Sequence, residues 1–484
     1  MDHSARHHQA LPRRQLHGAI LEIDQQPGVD GRHSSTATAN SRPALFVPMI
    51  RELLRAAAFA VRIVSPSGFQ GGNVILAGAN HTPSAPIQRG SGHGRGLLSR
   101  LRFELPIAAL LALAVPAHAG DFKVHGLLDL TLTGRGPGFD VNRLTEGDSP
   151  FDPWGLRVFA EGNINPKVAI FTQAVLHDPA MPYIEAAYVV LSPSTDRDLH
   201  LMAGKIPFPV GTYAPRSYSD KNPLIGKPLM YQYHTTLLWY ALPSSADALI
   251  AAGGSGQNSV GYTGFGGTGM PIVDDGYWDT GAVINGSLRP IEFAVGAMNG
   301  TPGWGNTGED ENRGKTVLGR VGLAPLPAFR AGVSGAYGPY LVERLDDRLP
   351  PGKTANDYHQ RLAMADAEIL AGYAELRAEG YVNVWENPTL GDLRVHGGYV
   401  EGQWTLVPGV VLAGRGEMMR FSTLRDSGGL DRPWDHDRDR IEAGVCYRPD
   451  RDLRMKAVWQ RNLEMAAAGD RQFDLVALGL SVSF

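Results

Sequence analysis

The residues best equipped for chemistry gather in "DRPWDHDRDR", where Asp431, Asp435, Asp437 and Asp439 surround His436. Carboxylates at that density supply the hard oxygen ligands a divalent cation takes, and they serve equally well as a solvated acidic loop. "GEDEN" at 308–312 poses the same two alternatives. Histidine is otherwise scattered, at His125, His177, His200, His234, His359 and His396 beyond the N-terminal region. No GxSxG, HExxH, phosphate-binding glycine loop or GxGxxG in a strand–helix setting accompanies these groups. Cys446 is the single cysteine, which excludes an internal disulfide and a cysteine-rich metal site. The chain reads as non-enzymatic, with no cofactor and no metal.

The elements that carry these residues have a period of two. In the closing "DLVALGLSVSF", Val476, Leu478, Leu480 and Val482 share one face, and Ala477, Gly479, Ser481 and Ser483 share the other. A sandwich edge and a transmembrane barrel both give that pattern. Hairpins with tight turns recur upstream, as in "WGLRVFAEGNINPKVAIFTQAVLHD", "TVLGRVGLAPLPAFRAGVSGAYG" and "RIEAGVCYRPDRDLRMKAVWQRN". Between them lie long polar connections such as "RGPGFDVNRLTEGDSPFDP" and "LVERLDDRLPPGKTANDYHQ". Short turns at one end and long loops at the other mark an outer-membrane barrel. The Ala- and Glu-rich "RLAMADAEILAGYAELRAEGY" has helical composition, yet Gly372 and the alternation around it make it a hairpin. Closure of a sheet in lipid overrides such propensity, because no backbone group can stay unpaired there. The expected fold is all-β: a transmembrane antiparallel barrel of about sixteen strands, each about 9–11 residues long. That size leaves an aqueous lumen.

Parity then assigns faces. Ile441, Ala443, Val445 and Tyr447 face lipid, as do Leu453, Met455, Ala457 and Trp459. Glu442, Cys446, Arg448, Arg454, Lys456 and Gln460 therefore face inward, and the same rule turns Arg157, Glu161, Arg320, Arg330, Arg415 and Glu417 inward. The candidate pore-lining set is Arg157, Arg320, Arg330, Arg415, Glu417, Glu442, Arg454 and Lys456. Tyr447, Trp459, Phe421 and Tyr337 sit near strand ends, where interfacial aromatic girdles form.

The formal net charge is −4, with the acidic excess concentrated after residue 119, which disfavours nucleic acid as a partner. Arg95, Arg100 and Arg102 precede an apolar run, Ile107 to Val115, and Ala117-His118-Ala119 gives a small-x-small cleavage site before Gly120. Residues 98–119 are thus expected to be a signal peptide and 120–484 the exported barrel. Residues 1–97 lack sustained periodicity and are expected to be an unstructured extension upstream of the true start.

These residues make the chain resemble the Gram-negative outer-membrane porins, particularly the phosphate-selective porin O/P type. The resemblance covers most of 120–484 and rests on "LHLMAGKIPFPVGTY", "CYRPDRDLRMKAVWQRN" and the terminal "LGLSVSF". It implies that Phe484 is the signal read by the barrel-assembly machinery and that its strand pairs with the one near Phe122. It also implies an inward-folded constriction loop at 207–240, carrying Arg216, Asp220, Lys221 and Lys227; an ordinary extracellular loop is the alternative. Rings of Arg and Lys would favour anions. The inward arginines, Arg377 among them, are however mixed with Glu161, Glu368, Glu375, Glu379, Glu401, Glu417 and Glu442, so the solute stays open. The implied function is passive diffusion of small hydrophilic solutes or ions, in contact with outer-membrane lipid and lipopolysaccharide, with a homotrimer among the assemblies it allows. The alternative is a structural sleeve around a partner such as an exported multihaem cytochrome, which would want a wide lumen without an inward loop.

Overall fold

The computed structural model describes residues 122–134, 154–177, 182–194, 196–256, 262–263, 268–274, 278–305, 310–466 and 469–484. The expected upstream extension, 1–97, and signal peptide, 98–119, lie outside the described residues.

The strands are β1 (Phe122–Gly134), β2 (Trp154–Asn165), β3 (Val168–His177), β4 (Tyr183–Leu191), β5 (Leu199–Pro207), β6 (Trp278–Leu288), β7 (Ile291–Met298), β8 (Thr316–Leu326) and β9 (Phe329–Pro339). They continue as β10 (His359–Ala371), β11 (Ala374–Asn387), β12 (Gly391–Val407), β13 (Val410–Phe421), β14 (Thr423–Arg425), β15 (Asp431–Pro433), β16 (Asp437–Tyr447), β17 (Leu453–Met465) and β18 (Arg471–Ser483). Among the described residues, β14 and β15 form a separate small hairpin and the other sixteen close into one antiparallel barrel.

The seam is β1 against β18, with Leu127 opposite Ser483 and Gly134 opposite Val476. The ladder runs to the last residue: Phe484 N–H donates to the Gly126 carbonyl at 3.0 Å, and Gly126 N–H donates back at 2.7 Å. The Phe484 ring lies over Gly126, in the space a Cβ there would occupy. Closure removes every free edge, the only way a sheet can sit in hydrocarbon with its backbone paired.

With the ladder fixed, the period of two sorts the side chains. Val333, Val400 and Ile441 point outward and are 60%, 52% and 55% exposed, part of an apolar belt around the barrel. Register keeps Arg415, Glu442 and Gln460 on the opposite, inner face. The Ala-rich segment is a hairpin with Gly372 at φ +61°, as its alternation predicts. Two of the girdle candidates, Tyr337 and Trp459, are on the outer surface. Phe421 is not: it is buried on the inside, edge-on to Tyr233 and Trp434. It shares the parity of Glu417, and that places it inward.

The outward belt predicts that Val400→Arg, near the middle of β12, destabilises the barrel by about 2–4 kcal/mol. Urea unfolding in lipid vesicles measures this, and an unchanged midpoint would mean that Val400 does not face hydrocarbon.

Candidate functional site

The connection from β5 to β6 spans residues 208–277, far longer than a hairpin needs. Pro207 and Pro209 end β5 because proline lacks the N–H a ladder requires. Gly211, at φ +65°, then turns the chain. Beyond it the elements are short and irregular: a 3-10 turn at Ala214–Arg216, one helical turn at Leu229–Gln232, and a helix at Ala246–Ala251. Ser245 caps that helix, its hydroxyl accepting from Ala248 N–H at 3.2 Å.

Irregular backbone cannot satisfy itself, so a buried loop must find partners elsewhere. This loop finds them on the inner wall. Gly211 N–H donates to Ser334 of β9 at 3.0 Å. Thr212 donates through N–H and Oγ1 to Glu379 of β11 at 2.5 and 2.6 Å. Gly226 N–H donates to Glu442 of β16 at 3.1 Å, and Leu229 N–H donates to Glu417 of β13. In the other direction, Lys456 of β17 donates to the carbonyls of Ser219 and Leu224 at 2.6 and 3.2 Å. Arg440 donates to the Lys227 carbonyl at 3.1 Å.

Arg415 of β13 lies at the centre. Its side chain has no exposed surface and reaches Glu401 at 3.1 Å, Glu417 at 3.0 Å and Glu442 at 2.5 Å. The same guanidinium donates to the Gly226 carbonyl at 2.8 Å. Three carboxylates this close repel one another, and the planar fork of Arg415 holds them together. Arg216 adds a second cation from the loop side, donating to Glu401 at 2.8 Å and to the Tyr399 hydroxyl at 2.9 Å. Burial works against its charge, but Tyr399 and Glu401 beside it hold its pKa above the ordinary arginine value. An apolar seat reinforces these bonds: Phe208, Val210, Met230 and Tyr231 pack against Met364, Tyr381 and Trp385 of the wall. Towards the loop end of the barrel, Trp239 stacks on Trp304 with centroids 4.4 Å apart.

The expected constriction residues divide. Arg216 is tied to the wall. Lys227 contributes backbone, its N–H donating to Gln232 at 3.2 Å and its carbonyl accepting from Arg440. Asp220 and Lys221 are 3.8 Å apart, and the Lys221 side chain is 47% exposed. The wall residues divide as well. Arg157 lies 3.6 Å from Asp129 and 3.7 Å from Glu185. Arg320 forks onto Asp366 at 2.5 and 3.1 Å, Arg330 stands opposite Glu368 in register, and Arg454 donates to the Arg451 carbonyl at 3.1 Å near a turn. Arg415, Glu417, Glu442 and Lys456 face inward as parity requires, but they lie beneath the loop rather than towards open lumen.

The acidic stretch at 431–439 also departs from expectation. Trp434 and Asp435 are buried. Asp435 accepts from the Tyr233 hydroxyl at 3.0 Å and from the backbone N–H groups of Thr236 at 2.9 Å and Gly254 at 2.8 Å. It is a clasp on the inward loop rather than a solvated loop residue. Sequence reading missed Glu379, Glu401 and Asp435 as loop anchors. Parity marks Glu379 and Glu401 as inward carboxylates, but nothing in the sequence pairs them or Asp435 with the 208–277 connection.

No protein-family model matches the chain, and no curated protein matches it. Solved structures resemble the chain at low identity. The outer membrane channel DcaP of Acinetobacter baumannii is 11% identical over 76% of this chain and 99% of that one, with a TM-score of 0.46. OmpF of Salmonella typhi, in complex with daunomycin, is 14% identical over 76% and 99%, also at 0.46. OmpT, an outer-membrane-expressed protein of Vibrio cholerae, is 13% identical over 76% and 99%, at 0.45.

The hub predicts that Arg415→Met, which strands three buried carboxylates, costs about 3–5 kcal/mol. It should also expose the segment 211–232 to proteolysis in the folded barrel. A variant as stable and protease-resistant as the parent would show that Arg415 does not hold the loop.

Proposed function

We propose that the protein is an outer-membrane porin: small hydrophilic solutes or ions diffuse through its barrel, which the 207–240 loop narrows. The observation that carries this reading is a long loop seated on the inner wall of a closed sixteen-stranded barrel, with charge pairs on the wall beside it. The apolar exterior suits a bilayer, and the outer membrane is the bilayer in which closed bacterial barrels reside. Phe484 stands at the seam and is 69% exposed, where the assembly machinery could read it before closure. The smooth apolar exterior would accept lipid, lipopolysaccharide or a second and third copy of the chain.

Selectivity follows from how the inner charges pair. Arg157 lies between Asp129 and Glu185, Arg320 lies on Asp366, and Arg377 lies 3.4 Å from Glu368. Arg216 and Arg415 are both on Glu401. A phosphate-selective ladder needs arginines whose field is not cancelled, and these are cancelled. With Glu417 and Glu442 also on Arg415, carboxylates outnumber their partners, and the reading is a porin with weak cation preference. A sleeve for a cytochrome would need the space this loop occupies.

Reconstituted in a planar bilayer, the folded barrel is expected to conduct in discrete steps, with a reversal potential across a salt gradient of the sign for cations. A barrel that never conducts would contradict the diffusion reading. An anion-signed potential would contradict the charge argument alone.

A further inference from the structure

Rings line the inner face of β1–β4. His125 of β1 stacks on Phe159 of β2, with centroids 4.7 Å apart and planes at 12°. Phe159 meets Phe171 of β3 at 6.3 Å, and Phe171 meets Tyr188 of β4 at 5.1 Å. Tyr188 continues to Trp278, the first residue of β6, at 6.4 Å and 22°. Direct cross-strand register places His125 opposite Phe159 and Phe171 opposite Tyr188, so the line steps from strand to strand. It starts near the turn end of β1 and finishes at the loop end of β6. Phe159 and Phe171 are buried and back the line, Tyr188 and Trp278 are partly open, and His125 is exposed. Tyr218 of the inward loop sits edge-on to Phe159 at 5.6 Å.

A cluster that served only to seat the loop would be compact around Tyr218. A line one ring wide that crosses several strands is more than such a seat requires. Beside it lie hydrogen-bond donors and acceptors. Arg157 stands between Asp129 and Glu185, Gln173 donates to Glu185, and the Tyr218 hydroxyl donates to Gln173 at 2.8 Å.

We propose that this line is a binding track for neutral sugars, an inference that rests on the porin reading. A pyranose ring has an apolar C–H face that stacks on an aromatic face, and a rim of hydroxyls that both donate and accept. Tyr188, Trp278 and Tyr218 offer the faces, while Arg157, Asp129 and Glu185 offer the rim partners. Compensation of Arg157 by two carboxylates cancels the positive field that would favour an anionic solute.

The test uses maltohexaose as the probe and the folded full-length barrel, by titration calorimetry in detergent and by current recording in a bilayer. Saturable binding and transient current interruptions are expected. Tyr188→Ala should weaken binding by about tenfold, and Tyr188→Phe should retain it. His125→Ala, at an exposed ring, guards against a variant that fails to fold and should weaken binding several-fold. A barrel that conducts but neither binds nor is interrupted by maltohexaose overturns the track and leaves the porin standing. Binding without conduction supports the track and overturns diffusion. Tighter binding of phenyltrimethylammonium than of maltohexaose overturns the ligand class.

Discussion

A backbone N–H or C=O left unpaired in hydrocarbon costs several kcal/mol, and nearly everything in this molecule stems from avoiding that. The sheet has to close, so β1 meets β18 and the last residue, Phe484, still pairs with Gly126. Closure fixes register, and register fixes which side chains meet lipid. The exterior can then be apolar, as at Val333 and Val400, while Arg415, Glu417 and Glu442 turn inward. The same demand reappears inside, where the β5–β6 loop brings irregular backbone against the wall. Its N–H and C=O groups are met by Glu379, Glu417, Glu442, Arg440 and Lys456.

The cluster around Arg415 is better understood as a positioning device than as a source of stability. Removing several ions from water costs several kcal/mol each, and well-packed apolar residues could return as much. What apolar packing cannot supply is direction. A guanidinium that must serve Glu401, Glu417, Glu442 and the Gly226 carbonyl together has one acceptable geometry, and it fixes the loop to within a hydrogen bond's tolerance. A further stretch of the wall, at β1 and β2, is held differently, by Tyr218 against Phe159 and by Ser219 donating to Asp129. The loop is therefore anchored at two stretches of wall, by the Arg415 cluster at one and by Tyr218 and Ser219 at the other.

Much of this was legible in the sequence because alternation reports a side chain's face directly. The inward placement of Arg157, Arg320 and Glu442 needed only counting, and so did the hairpin at Gly372 despite its helical composition. Counting fails one level up. It cannot say that Arg415 and Lys456 are covered, because the cover comes from Gly226, Leu224 and Ser219, some two hundred residues away in sequence. Asp435 was misread for the same reason: its partners, Tyr233, Thr236 and Gly254, belong to a different loop. Phe421 could have been placed by parity, and its position near a strand end hid that.

The single cysteine offers the most direct test of the claim that the loop lies against the inner wall. Cys446 is fully buried on that face, opposite Lys456 in register, and Leu224 of the loop covers the neighbouring Gly444. The measurement is labelling of the folded barrel with a small water-soluble methanethiosulfonate, read by mass spectrometry. A loop held as described predicts no modification until the barrel is unfolded. Stoichiometric labelling of the native protein would contradict it.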